Sequence, residues 1–133
     1  MMGSGEEEEG EPPVYAVRLS QPAAAQADAV FERLIETAGV DAAEDWQEGL
    51  RAAWGSLATL PHRCAVAPEN RPFQKKHPGP PLRVLLYRRG RSAWRLLFTA
   101  HAATDDDPPL VRVHQIRHGA QKPLREWPAE GKE

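Results

Sequence analysis

Cysteine is almost missing from this chain: Cys64 is the single one in 133 residues. No intrachain disulfide can form, and a structural zinc site built on several thiolates is disfavoured. Cys64 itself is expected to be a small, half-buried apolar residue. Long apolar runs are missing as well, and none approaches the ~20 residues a membrane span needs. The first residues show no basic segment followed by an apolar one. A cytoplasmic protein with no membrane partner is therefore expected. No glycine-rich phosphate loop of the Walker or dinucleotide-binding kind is present, nor any internal repeat. No cofactor and no metal are expected. His114 and His118 stand four apart on a strand, ~13 Å of rise, too far to chelate one ion.

What the chain does have is charge, unevenly placed. The formal net charge is −2. Residues 1–13 carry five Glu and no Lys or Arg, and residues 14–60 carry three Arg against seven acids. Residues 61–133 carry fourteen Lys or Arg against seven acids. The C-terminal half is thus a basic surface on a nearly neutral chain. Such a surface either meets an anionic partner (RNA, DNA or an acidic protein segment) or is simply solvated.

Hydrophobic patterning predicts one α+β domain over residues 14–124. Residues 1–13 are expected to form a disordered acidic tail, and residues 125–133 a flexible C-terminal one. A strand over 14–19 alternates Tyr15, Val17 and Leu19 with Val14, Ala16 and Arg18. Ser20 then offers an N-cap with Pro22 in the first turn, opening a helix over 21–38. Its stripe of Ala23, Ala27, Val30, Leu34 and Ala38 is flanked by Phe31 and Ile35. Gly39 ends it. Asp41 and Glu44 resemble a capping box for a second helix that runs to Pro61. In it Trp46, Leu50, Trp54 and Leu57 recur at helical spacing, and both tryptophans are expected to serve the core. The proline-rich stretch 61–81 reads as a long connection holding a basic knot, Lys75-Lys76-His77. Strands over 82–87, 93–102 and 110–116 follow, joined by a basic turn (Arg88, Arg89, Arg91) and an acidic loop (Asp105, Asp106, Asp107). The loop lacks the ligand spacing and the glycine of a calcium-binding loop. The expected order is β-α-α-β-β-β, a helical hairpin packed on a small antiparallel sheet.

Several pieces, in order and with matching spacing, resemble the RelE/ParE superfamily of toxins from type II toxin–antitoxin systems. Tyr15-Ala16-Val17-Arg18-Leu19-Ser20 with the Ala-rich helix is similar to the family's opening. Ser56-Leu57 through Pro61-His62-Arg63-Cys64, then Ala67-Pro68-Glu69-Asn70, is similar to its middle segment. Trp94-Arg95-Leu96-Leu97-Phe98 and Ile116-Arg117-His118-Gly119-Ala120 resemble its last two strands. The resemblance implies a toxin neutralised by a cognate antitoxin protein. One reading is ParE-like, inhibiting growth by binding an essential target such as DNA gyrase. A second is a RelE-like endoribonuclease that cuts mRNA on the ribosome. A third is a decayed toxin that is only a binding module.

The residues weigh these readings unequally. Cutting RNA through its 2′-hydroxyl needs a base, an acid and fixed positive charge. Arg83 and Arg95 could supply charge from neighbouring strands, and His118 is the nearest acid–base group. Arg117 and Lys122 could add to a target- or RNA-binding surface. Against catalysis, Leu85 falls where nuclease members carry a second basic residue, and no Tyr or His follows Lys122. An antitoxin would cover Phe31 and Trp54 on the helices and Arg83 and Arg95 on the sheet. The expectation is a ParE-like toxin acting by binding, with Arg95 and His118 catalytic only in the nuclease reading.

Overall fold

The computed structural model describes residues 11–129. Strand β1 (Ala16–Leu19) leads into helices α1 (Gln21–Ala38) and α2 (Val40–Gly55). Two 3-10 turns (Ser56–Ala58 and Pro61–Arg63) and a short helix α3 (Asn70–Lys76) precede strands β2 (Arg83–Arg89), β3 (Ser92–His101) and β4 (Leu110–His118). No helix among the described residues is long and apolar enough to cross a membrane.

The α1–α2 hairpin forms for local reasons. Ser20 Oγ accepts from the Ala23 amide at 3.2 Å, with Pro22 in the first turn. Gly39, at φ 98°, closes α1 by donating its N–H to the Leu34 and Ile35 carbonyls. The same residue is the N-cap of α2, so one glycine reverses the chain. The Asp41–Glu44 capping box does not form: α2 begins at Val40, which puts Asp41 inside the first turn rather than at the cap. Nor does α2 reach Pro61. It ends at Gly55, and Leu60 turns left-handed (φ 49°) ahead of the proline, which disfavours helix in the residue before it.

The sheet order is β1-β4-β3-β2. Strands β2, β3 and β4 form the expected antiparallel meander. Strand β1 pairs with β4 in parallel, Ala16 opposite Leu110 through Leu19 opposite Val113, so the sheet is mixed rather than wholly antiparallel. A parallel pair needs a long crossover, and everything between β1 and β4 supplies one. Beyond Val113 the outer edge of β4 has no strand beside it; the start of α1 covers it instead. Ser20 N–H donates to the Val113 carbonyl and Ser20 Oγ to the His114 carbonyl, both at 2.9 Å. The Ile116 N–H donates to Gln26 Oε1 at 2.7 Å.

Each face of the sheet carries its own apolar cluster. On one, α1 and α2 bury Val30, Trp46 and Leu50 against Leu96, Phe98, Val113 and Ile116. On the other, Leu97 is covered by Ala67, Phe73, Leu82 and Trp127. That second cover corrects two expectations. The stretch 61–81 is not only a connection, because α3 folds within it and carries Phe73 to the sheet. The domain also does not end at Leu124: Trp127 is 1% exposed and stands edge-on to Phe73 at 5.0 Å. An apolar sheet face must be covered by something, and here α3 and the segment carrying Trp127 do it. Of the two expected tails, residues 1–10 and 130–133 lie outside the described residues.

Candidate functional site

Strand alternation decides which candidate residues share a face. Arg83 lies opposite Phe98 and Leu86 opposite Arg95. Arg83 and Leu86 are three apart, so they point to opposite sides. Arg83 therefore sits on the helix-covered face and Arg95 on the other. His118, opposite Trp94, is on the helix-covered face, and Arg117 joins Arg95 by direct pairing. The constellation of Arg83, Arg95 and His118 expected for a nuclease is thus divided by the sheet.

Each member also has an internal partner. Arg83 Nη1 donates to the Cys64 carbonyl at 2.7 Å and reaches the His62 carbonyl at 3.4 Å. His118 Nδ1 accepts from the Ala120 amide at 3.0 Å, and its ring stands edge-on to Trp94 at 4.7 Å. Arg117 Nη2 donates to the Lys122 carbonyl at 3.0 Å, which brings the exposed Lys122 beside it. Phe31 and Trp54 are half-buried and pack on the core rather than standing out from it. The exposed apolar residues of the hairpin are instead Ile35 and Val40, 37% and 52% exposed.

Arg95 is the clearest correction. Its Nη1 and Nη2 each donate to one oxygen of Glu69 at 2.7 Å. Arg95 is 9% exposed and Glu69 is fully buried. Such a two-point fork leaves little of the guanidinium for an outside ligand. Burial alone would push the Glu69 carboxyl up. The Arg95 hydrogen bonds, its own backbone amide, the Arg95 charge and the Leu124 amide outweigh burial and hold it below the usual carboxylate range. The Glu69 hydrogen bond raises Arg95 in turn, against burial. Glu69 was visible in the sequence only as part of a motif; nothing in its spacing from Arg95 marks the pair.

A different cluster occupies the far end of the Arg95 face. A groove of about 430 Å³ is lined by Lys76, His77, Thr99, His101, Arg112 and His114, with Phe73 below. Thr99 Oγ1 stands 2.7 Å from His101 Nε2 and 3.0 Å from His114 Nε2. One hydroxyl donates to one ring at most, so at least one of these Nε2 atoms carries a proton. His114 is brought there by a bulge: Leu97 pairs with Gln115 and Phe98 with Val113, leaving His114 as the extra residue. Burial, then the nearby Arg112 charge, pushes His101 below the ordinary histidine range. The exposed His77 stacks on Phe73, ring centres 5.0 Å apart and 24° from parallel. Lys76 Nζ donates to the Trp127 carbonyl at 2.7 Å. None of the described residues lining the groove is acidic; Asp107 lines an adjoining recess that shares His101 and Arg112. The sequence flagged Lys76 and His77 as a basic knot but gave no sign that Thr99 and His101 would join them.

Among the described residues no three His, Cys, Asp or Glu gather closely enough to hold a metal. Cys64 is a free thiol buried in the helix-side cluster, and burial pushes it up, with the Arg63 and Arg83 charges opposing. By sequence the chain matches no protein family and no curated protein. By structure it superposes on a chain of the chromosomal ParDE TA (toxin–antitoxin) system from P. aeruginosa. The TM-score is 0.56 at 16% identity, over 79% of this chain and 96% of that one. At that identity the likeness establishes a shared fold.

Proposed function

We propose that the protein is a toxin of a type II toxin–antitoxin system, ParE-like in acting by binding rather than cutting. The observation that carries this reading is the fold shared with a ParDE-system chain over most of both lengths. Two features of the arginine-bearing sheet support binding over catalysis. The candidate nuclease residues stand on opposite faces. Arg95, the best-placed cation, is neutralised by Glu69. The cognate antitoxin would meet the exposed apolar residues Ile35 and Val40 at the hairpin end and basic groups such as Lys122. Arg88, exposed near the end of β2, and Arg91, exposed on the β2–β3 turn, would add to the same basic surface. DNA gyrase is the target this reading favours.

The test is expression of the chain in a bacterial host, alone and with the product of the adjacent small gene. Growth arrest with a DNA-damage response and intact mRNA, relieved by co-expression, is the expected result. In-frame cuts in ribosome-bound mRNA that disappear in His118→Ala would overturn it in favour of a nuclease. Unimpaired growth would overturn it in favour of a binding module without toxic action.

A further inference from the structure

We propose that the groove between α3 and the Thr99 end of the sheet is a nucleotide-binding site, in which Lys76 and His101 hold a phosphate and the His77–Phe73 stack receives the base. The proposal goes beyond the toxin reading and stands without it.

Three independent features meet in this groove. The first is charge. Lys76 is held at the rim by the Trp127 carbonyl, which uses one of three ammonium hydrogens and leaves the charge intact. Arg112 shares the lining, and among the described residues that line the groove none is acidic. A cleft with cations and no carboxylate lining favours an anion. The second is a fixed imidazole, which offers its Nδ1–H to an anion when the Thr99 hydroxyl donates to its Nε2. Thr99 anchors His101 through Nε2, so the ring is oriented before any ligand arrives. The third is a planar platform. His77 is exposed on one side and supported by Phe73 on the other, the arrangement on which a base stacks. The groove's volume of about 430 Å³ suits a ligand of mononucleotide size. A bare phosphate would leave the stack unused, and an uncharged aromatic would leave Lys76 unused. A ligand that carries both groups uses the whole site. It could come as a free nucleotide or as one unit of a nucleic-acid strand.

The full chain is titrated with 5′-AMP, inorganic phosphate, adenosine and a hexa-adenylate RNA, by calorimetry and by imidazole NMR signals. Saturable 5′-AMP binding that shifts His77 and His101 and exceeds phosphate and adenosine by about tenfold is expected. Lys76→Gln, which keeps a donor for the Trp127 carbonyl, and His77→Ala, on an exposed ring, should each weaken binding by about tenfold with unchanged melting. Arg51→Ala, exposed on α2 across the sheet from the groove, should bind as the parent does. Hexa-adenylate binding as tight as 5′-AMP, or tighter, assigns the site to a nucleic-acid strand, and weaker binding assigns it to free nucleotides. Either result supports the proposal. Absence of saturable 5′-AMP binding, phosphate binding as tight as 5′-AMP, or full affinity in both Lys76→Gln and His77→Ala would overturn it.

Discussion

Replacing Glu69 with alanine is the sharpest test of how the second face of the sheet is held. The carboxylate is fully buried, accepts both Arg95 guanidinium nitrogens at 2.7 Å, and also draws on the Leu124 amide. Glu69→Ala leaves a buried cation with no counter-charge, which costs about 3–5 kcal/mol. For a domain whose total stability is about 5–15 kcal/mol, that loss is large. Glu69→Leu with Arg95→Met removes both charges at once and should recover most of it, because a buried pair does little better than apolar groups of like size. Urea unfolding followed by tryptophan fluorescence gives the free energies. The sign of the pH dependence follows from the carboxyl's lowered value in the folded protein. Glu69 contributes its full stability above the usual carboxylate range. It loses that contribution as pH falls through its folded value, because the unfolded chain takes up the proton first. The acid loss should be smaller in the double variant. A Glu69→Ala penalty below about 1 kcal/mol, or an acid slope unchanged in the double variant, would refute the claim that the pair is buried and coupled.

Other positions yield simpler expectations. Gly49 lies inside α2, yet a Cβ there would come within 2.2 Å of the Tyr87 hydroxyl, which donates to the Trp46 carbonyl at 3.0 Å. Gly49→Ala should therefore destabilise by about 1–3 kcal/mol despite better helix propensity, and Tyr87→Phe should relieve part of that loss in thermal melts. Trp127→Ala should cost about 3–5 kcal/mol and raise amide exchange across residues 120–129. Smaller loss with unchanged exchange would mean that the Trp127 segment is not part of the core. Gln26→Ala leaves the Ile116 amide without its acceptor and should cost about 1–3 kcal/mol in urea unfolding. Cys64 should react with iodoacetamide more slowly than a free thiol at pH 8, since burial raises it.

Much of the fold was legible in the chain. The 3.6-residue stripe of α1, Ser20 before it and Gly39 after it are local signals, and each acts where expected. Alternation around Tyr15, Val17 and Leu19 also predicted which side of β1 is covered. The misses share a cause. The helix α3 is only seven residues long and has little periodicity to read. The parallel pairing of β1 with β4 joins residues more than ninety positions apart, so no local pattern reports it. The burial of Trp127 depends on an apolar patch around Leu97 that exists only once the sheet forms.

The candidate site divides in the same way. By itself the sequence determined an α+β domain with a basic C-terminal half, because composition and short-range spacing set both. The tertiary structure alone decided what that charge does. Strand register put Arg83 and Arg95 on opposite faces, and the fold brought Glu69, twenty-six residues upstream, against Arg95. A bulge in β4 brought His114, and the placing of α3 brought Lys76 and His77, to Thr99 and His101 in one groove. An arginine's charge is written in the chain. Whether it meets solvent, a ligand or a buried carboxylate depends on long-range packing, which determines its neighbours and its distance from water.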